Sequence, residues 1–398
     1  MTHLLLLIIY LSFISLGLPD SLLGSAWPSM YGTFGVPVAW AGAVSMIISL
    51  GTMTSSLQSD RLTCRFGTGK VTAASVAMTA AALFGFSIST SFWQLCLWAV
   101  PYGLGAGSVD ASLNNYVALH YASRHMSWLH CMWGVGAAVG PAIMGWALTG
   151  GFGWPMGYRA IGILQTALTA ALVLSLPLWR RPPAPLGVER RPDEEVPEAK
   201  PLSLKQTLSI PGVPLAVLLF FFYCAVEQTV NLWAGSYLTL AQGIPAGTAA
   251  SFAGMFFIGI TLGRVASGFL TLKFTDIQLI RMGMAVVLAG IAALLLPLGE
   301  ASALAGLVLI GLGCAPIYPS AIHAAPAHFG ADKSQAVIGV QMAGASLGTC
   351  LMPPFFGLIA QYVSIRLFPV YLLLSLALMA AAHEALLRRG KGGAQRES

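Results

Sequence analysis

Along this chain apolar residues come in long unbroken runs rather than in alternation with polar ones. Twelve runs stand out, near 4–30, 38–59, 70–89, 92–118, 126–149, 158–179, 213–240, 247–271, 277–298, 301–323, 335–361 and 366–387. Each is about 20 residues or longer, the length a helix needs to cross the hydrocarbon core of a bilayer. A membrane β-barrel would instead show short segments of strict alternation. The pattern therefore predicts an all-α membrane protein of twelve transmembrane helices. One long polar stretch interrupts it, RRPPAPLGVERRPDEEVPEAKPLSLK from Arg180 to Lys205. Rich in proline and charge and without hydrophobic period, it reads as a linker. It divides the chain into a six-helix bundle over 1–180, a cytoplasmic linker over 181–206 and a second six-helix bundle over 207–398. The first run lacks a basic n-region and a small-residue cleavage site, so a retained span is expected rather than a signal peptide.

Composition agrees and narrows the class. Of 398 residues, 57% are hydrophobic and 9% charged, against about 25% charged in soluble domains. So few charges cannot cover the surface of a soluble enzyme, a secreted scaffold or a nucleic-acid binder. Cys64, Cys96, Cys131, Cys224, Cys314 and Cys350 are scattered, with no CxxC pair, and read as small apolar residues. The net charge of +6 follows from basic cytoplasmic loops. With the N-terminus inside, every lysine and arginine falls in an inside loop or tail except Arg159, Arg366 and Arg264. That asymmetry puts both termini in the cytoplasm and the chain in the plasma (inner) membrane as a multi-pass protein. No P-loop, GxSxG, HExxH or Rossmann context occurs. No enzyme activity, cofactor, metal or nucleic-acid partner is expected; the partners are a small-molecule substrate, a coupling proton (sodium being the alternative) and the lipid bilayer, for a monomer.

The two halves repeat at a constant offset of 208. Gly35-Val36-Pro37 matches Gly243-Ile244-Pro245, Gly51 matches Gly259, and Gly103-Leu104-Gly105 matches Gly311-Leu312-Gly313. His120 matches His328, and Gly136 and Gly140 match Gly344 and Gly348. Parallel duplication of this kind builds a midplane binding site between two halves, although glycines at close helix crossings recur in any bundle.

Particular residues carry a family resemblance. The loop after the second run, Ser59-Asp60-Arg61-Leu62-Thr63-Cys64-Arg65-Phe66-Gly67, resembles the G-x-x-x-D-R-x-G-R signature of the major facilitator superfamily, with Ser56 and Thr63 at its glycine positions. Gly263-Arg264-Val265-Ala266-Ser267-Gly268 is a weaker echo. The resemblance implies two pseudo-symmetric six-helix bundles, with Asp60, Arg61, Arg65 and Arg264 forming a cytoplasmic gate. A narrower resemblance lies in the first, fourth and fifth runs. Leu18-Pro19-Asp20-Ser21-Leu22-Leu23 resembles the N-D-x-L-L pattern of the fucose permease group of sugar:proton symporters. Asp110-Ala111-Ser112-Leu113-Asn114-Asn115-Tyr116-Val117 resembles its E-T-A-A-N-P-F-V, and His130-Cys131-Met132-Trp133-Gly134-Val135-Gly136-Ala137 its Q-T-F-N-S-F-G-A. Asp110 stands for glutamate, Asn115 for proline and His130 for an amide. The group implies sugar transport with a proton.

A charge at the bilayer centre costs about 2.5–3.5 kcal/mol on insertion scales, so an acid kept there faces a wet or protein interior and is a functional candidate. Asp20, Asp110 and Glu227 are candidate proton-coupling groups. Asp20 can alternatively, when protonated, cap backbone freed by Pro19. Asp110 and Asn114, one turn apart, can offer a carboxylate and an amide to substrate hydroxyls, or bond another helix. Glu227 and Asn231 repeat that spacing, with Gln228 beside them. His130 and Trp133 share a face of the fifth run, and Tyr318 and Gln341 are offset counterparts of Asp110 and Trp133. These nine residues, Asp110, Asn114, His130, Trp133, Glu227, Gln228, Asn231, Tyr318 and Gln341, form the expected substrate site. Glu384 lies near a run's end. The expected function is proton-coupled symport of a small polar solute, a sugar or sugar-like compound, by alternating access. The alternative is proton-antiport efflux of hydrophobic compounds, because Gly136-Ala-Ala-Val-Gly140-Pro141-Ala-Ile-Met-Gly145 resembles the drug-antiporter signature G-x-x-x-G-P-x-x-G-G. A non-transporting sensor is a third class, disfavoured by the mid-span acids.

Overall fold

A computed structural model describes residues 2–120, 123–180, 204–296 and 299–394; the expected linker lies outside them up to residue 203. The first apolar run is two helices, α1 (Thr2–Asp20) and α2 (Leu22–Phe34). Pro19 supplies no N–H and Ser21 leaves helical dihedrals (φ −104°, ψ 3°), so the helix breaks beside Asp20. Then follow α3 (Ala41–Phe66), α4 (Thr68–Ile88), α5 (Phe92–His120), α6 (Ser123–Thr149) and α7 (Trp154–Ser175). After the short α8 (Leu204–Leu208) come α9 (Val213–Leu240), α10 (Ala246–Leu270), α11 (Asp276–Leu295) and α12 (Glu300–His323). The short α13 (Ala325–Phe329), α14 (Ala331–Ile359) and α15 (Phe368–Ala394) complete the order. Counting α1 and α2 together and leaving out the two short helices gives the twelve spans expected. Among the described residues there is no strand.

Among the described residues ten stretches are long and apolar enough to cross a membrane; the last, Val337–Arg389, takes in most of both α14 and α15. α5 is not among the ten, and it is the helix that carries Asp110 and Asn114.

Close helix crossings made by glycine recur in the two halves. A Cβ on Gly51 of α3 would lie 3.2 Å from the Gly103 and Leu104 backbone of α5. At the 208 offset, one on Gly259 of α10 would meet Val308 and Leu312 of α12. Gly136 and Gly140 of α6 touch the backbone of α1 at Ile14 and Leu18; Gly344 and Gly348 of α14 touch that of α9 at Val217 and Phe221. The α6 and α14 glycines keep the 208 offset, but their contacts on α1 and α9 are related by 203. At this crossing the counterpart of Asp20 is therefore Tyr223, one turn before Glu227. The 208 register returns at the far ends, where Gly35 and Gly243 both take positive φ (62° and 72°) after their helices, as αL caps do.

The described chain forms two compact units. The first is Met1–Val188 with Asn231–Ile258 and Pro354–Arg366; the second is Glu189–Val230, Gly259–Pro353 and Leu367–Ser398. In the first, Leu5, Ile9, Phe13, Val76, Val109, Leu113 and Leu129 build a core among α1, α4, α5 and α6. Its α9, α10 and α14 segments fasten to the α1–α7 helices through small residues. Gly24 abuts Asn231 and Leu232, Gly145 abuts Ser251, Gly247 abuts Thr149, and Gly42 abuts Pro354. In the second unit α11 packs along α12 and against α15, with Ile280, Val287, Ile291, Leu307 and Ile310 buried.

Candidate functional site

Asp20 closes α1, and its carboxylate is held from two other helices. Trp133 of α6 donates Nε1–H to Oδ2 at 2.8 Å, and Tyr102 of α5 donates its hydroxyl to Oδ1 at 3.2 Å. The Asp20 carbonyl, at the helix break, accepts Asn231 Nδ2 of α9 at 3.5 Å. Pro19 frees a second carbonyl one turn back, that of Ser15. The buried Gln165 of α7 caps it through Nε2, and Ser15 Oγ donates to Gln165 Oε1 at 2.8 Å. Thr79, Tyr102, Gln165 and Ser15 also line a small cavity beneath the break. Asp20 is partly exposed while Tyr102 is buried. Trp133, expected in the substrate site, also meets Phe257 of α10 edge-on, with centroids 5.8 Å apart.

Asp110 is exposed and accepts a 2.8 Å hydrogen bond from Asn114 Nδ2 one turn on. Among the described residues Asn114 Oδ1 has no hydrogen-bond partner. This pair thus presents carboxylate and amide together, with acceptor capacity left over. His130 lies edge-on to Phe13 of α1, with ring centroids 5.9 Å apart.

In the second unit Glu227 is buried, with Tyr223 of its own helix and Arg264 of α10 as electrostatic neighbours. Arg264, expected at the inner gate, is thus an electrostatic partner of Glu227. Tyr318 packs on Phe220 and Tyr223, with centroids 5.3 and 5.7 Å away, and donates to Met342 Sδ at 3.0 Å. Gln341 is buried, and among the described residues its Oε1 has no hydrogen-bond partner. Gln228 is partly exposed on α9.

Of the expected gate, the side chains of Asp60 and Arg61 lie outside those described. Arg65 is exposed, its guanidinium 5.4 Å from the Phe66 ring centroid. Glu384 of α15 is bound bidentately by Arg281 of α11, both bonds at 2.7 Å. Asp276, at the start of α11, meets His323 Nδ1 at 2.7 Å. Among the described residues no three His, Cys, Asp or Glu gather as a metal would require.

The structure thus brings Asp20, Trp133 and Asn231 together in the first unit; in the second, Tyr223 neighbours both Glu227 and Tyr318. Tyr102, Gln165 and Tyr223 escaped the sequence reading, since a tyrosine or glutamine in an apolar run has no periodic signal. Pro19 was the one available clue, because the carbonyl it frees needs a donor.

Residues 9–306 match the Major Facilitator Superfamily. The chain is 24% identical over 377 residues to the 4-hydroxybenzoate transporter PcaK of Pseudomonas aeruginosa, covering 86% of this chain and 83% of that one. It is 24% identical over 283 residues to Bypass of stop codon protein 6 of Saccharomyces cerevisiae, covering 66% of this chain but only 56% of the yeast protein's length. A solved bacterial homolog of the human lysosomal transporter Spinster, inward-facing and unoccupied, superposes with a TM-score of 0.74 at 15% identity, covering 96% of this chain and 97% of that chain. At that identity the likeness is one of fold.

Proposed function

The chain belongs to the Major Facilitator Superfamily, and on that premise we propose that it is a secondary transporter moving a small polar solute, a sugar or sugar-like compound, together with a proton. The halves 1–180 and 207–398, joined by the cytoplasmic linker 181–206, would rock about a midplane site, both termini inside. The observation that carries the proposal is Asp20. It is a membrane-depth carboxylate at a broken helix, partly exposed and held by two donors from α5 and α6. Such a group is costly unless it works, and its wetted side gives a proton somewhere to go. Asp110 with Asn114 supports a second polar contact for the solute.

The test is uptake into proteoliposomes under an inward proton gradient, over a panel of sugars and small organic acids. Asp20→Asn should abolish gradient-driven accumulation while leaving exchange of preloaded solute; Asp110→Asn should lower both. Full coupled uptake in both variants would sink the proposal.

Efflux by proton antiport is less supported. The glycines of the antiporter-like stretch have a packing role of their own: Gly136 and Gly140 against α1, and Gly145 against Ser251. The relative named for 4-hydroxybenzoate argues that an acid belongs in the solute panel beside sugars.

A further inference from the structure

Below Asp20, the seam where α1 meets α6 carries a regular series of contacts. Tyr10, Phe13, Gly17 and Asp20 fall at i, i+3, i+7 and i+10, on one face of α1. Each meets α6 in turn. The Tyr10 hydroxyl lies 2.8 Å from His125 Nδ1. Phe13 is edge-on to His130, with centroids 5.9 Å apart. Gly17 packs on the Trp133 carbonyl oxygen, where a Cβ would lie 2.1 Å away, and Trp133 Nε1 donates to Asp20 Oδ2 at 2.8 Å. Tyr10 and Asp20 are separated by roughly 15 Å of helix, about half the hydrocarbon core. Tyr10, His125, His130, Trp133 and Asp20 are all partly exposed, while Phe13 and Gly17 are buried. The polar groups therefore line an edge of the seam that solvent reaches. Asp20 is itself faced by Tyr102 and Asp110 of α5.

Toward α2 the way from Asp20 is closed. A Cβ on Gly24 would lie 2.2 Å from the Asn231 carbonyl oxygen of α9, and one on Gly235 2.8 Å from the Gly24 carbonyl oxygen. The α1–α6 edge runs the other way, and imidazoles stand along it. An imidazole takes a proton at its bare nitrogen and gives one up from the other. We propose that His130 and the His125–Tyr10 pair are a proton relay connecting Asp20 to the cytoplasmic end of α1. The neutral Asp20 acid gives its proton to water in the seam. His130 takes a proton from that water at its unprotonated nitrogen and gives one up to the next water, and His125 does the same toward the cytoplasm. Each imidazole is neutral before and after, so one proton moves from Asp20 to bulk water. The rise along α6 is roughly 4.5 Å from Trp133 to His130 and 7.5 Å on to His125, gaps that about one or two bridging waters span. The Tyr10 hydroxyl can donate to a bare Nδ1 or accept from an Nδ1–H, so it holds His125 in either state. A carboxylate in its place would favour the charged ring and retain the proton. This rests on the transport function and orientation proposed above and adds the path of the proton.

The test is a rapid pH jump on the purified full-length protein in detergent. The infrared band of a protonated carboxyl, assigned to Asp20 by its loss in Asp20→Asn, reports how fast Asp20 takes up its proton and at what pH. His125→Ala and His130→Ala should each slow that uptake about tenfold or more and leave the pH of half-protonation unchanged; imidazole added to the buffer should restore the rate. Tyr10→Phe should slow it less, since the ring of His125 stays. An unchanged rate in both histidine variants overturns the relay. So does slowing that imidazole does not relieve, or that comes with a shifted midpoint, because either marks a packing role. If His130→Ala fails to fold, the partly exposed His125 decides the matter through His125→Ala. Ordinary rates in the variants with proton-driven uptake intact would overturn the relay and leave the transport proposal standing. Slowing with imidazole rescue, but no proton-driven flux of any probe in proteoliposomes, would support the relay and count against transport. A carboxyl band that Asp20→Asn alters at no pH overturns both.

Discussion

Asp20 carries two kinds of hydrogen bond, and a proton affects them differently. Its backbone carbonyl is indifferent to the charge of the side chain, so the Asn231 contact stays. The bonds from Trp133 and Tyr102 are charge-assisted when the carboxylate is ionised, and such bonds contribute about 1.5–3 kcal/mol, roughly twice their neutral counterparts. Trp133→Phe should therefore lower the melting temperature in detergent at alkaline pH and much less at acid pH, where the carboxyl is neutral. An equal loss at both ends of the pH range would mean the indole acts by packing alone. Tyr102→Phe should show the same trend more weakly, its bond being longer at 3.2 Å. Gln165 acts on uncharged groups: Gln165→Leu strands the Ser15 carbonyl freed by Pro19 and should cost about 1–3 kcal/mol, with no dependence on pH, measurable in the same melts.

At the scale of helices, glycine decides which elements touch. Gly140 lets α6 lie on the Leu18 carbonyl, where a Cβ would be 1.9 Å away, and Gly348 lets α14 lie on Phe221 at 2.4 Å. Backbone cannot yield as a side chain can, so Gly140→Ala and Gly348→Ala should each destabilise by at least about 1–3 kcal/mol, the cost of overpacking. Gly32→Ala, with nothing within 4 Å, is the control and should be neutral or slightly stabilising, since alanine is the better helix former; a comparable loss there would show that close contact is not the cause. The duplication was legible from these glycines because their spacing is a property of the chain. What the spacing could not reveal is that the contacts of α6 on α1 and of α14 on α9 are related by 203 and not 208. Helix breaks absorb residues locally, and the break at Pro19–Ser21 lies between the two registers. Glu227 has no acidic counterpart in the first half at either offset, which pair it with Pro19 and Gly24.

For the molecule as a whole, topology is the quantity most directly open to measurement. Basic loops on one side predict both ends of the chain in the cytoplasm. A green fluorescent protein fused after Ser398 should fluoresce in bacterial cells, and alkaline phosphatase at the same place should be inactive; active phosphatase would reverse the orientation. The sequence alone determined the membrane class and the twelve spans, since burial in lipid is written in continuous hydrophobicity and turns in proline, glycine and charge. It also marked Asp20, Asp110 and Glu227, because so few charges remain within the spans. The partners of Asp20 were decided only by the fold, whereas Asp110 takes Asn114 one turn on, as the spacing suggests. Trp133 and Tyr102 lie far along the chain from Asp20. No period within one helix records which face another helix will meet, so the donation of the Trp133 indole to Asp20 could be seen only in the fold.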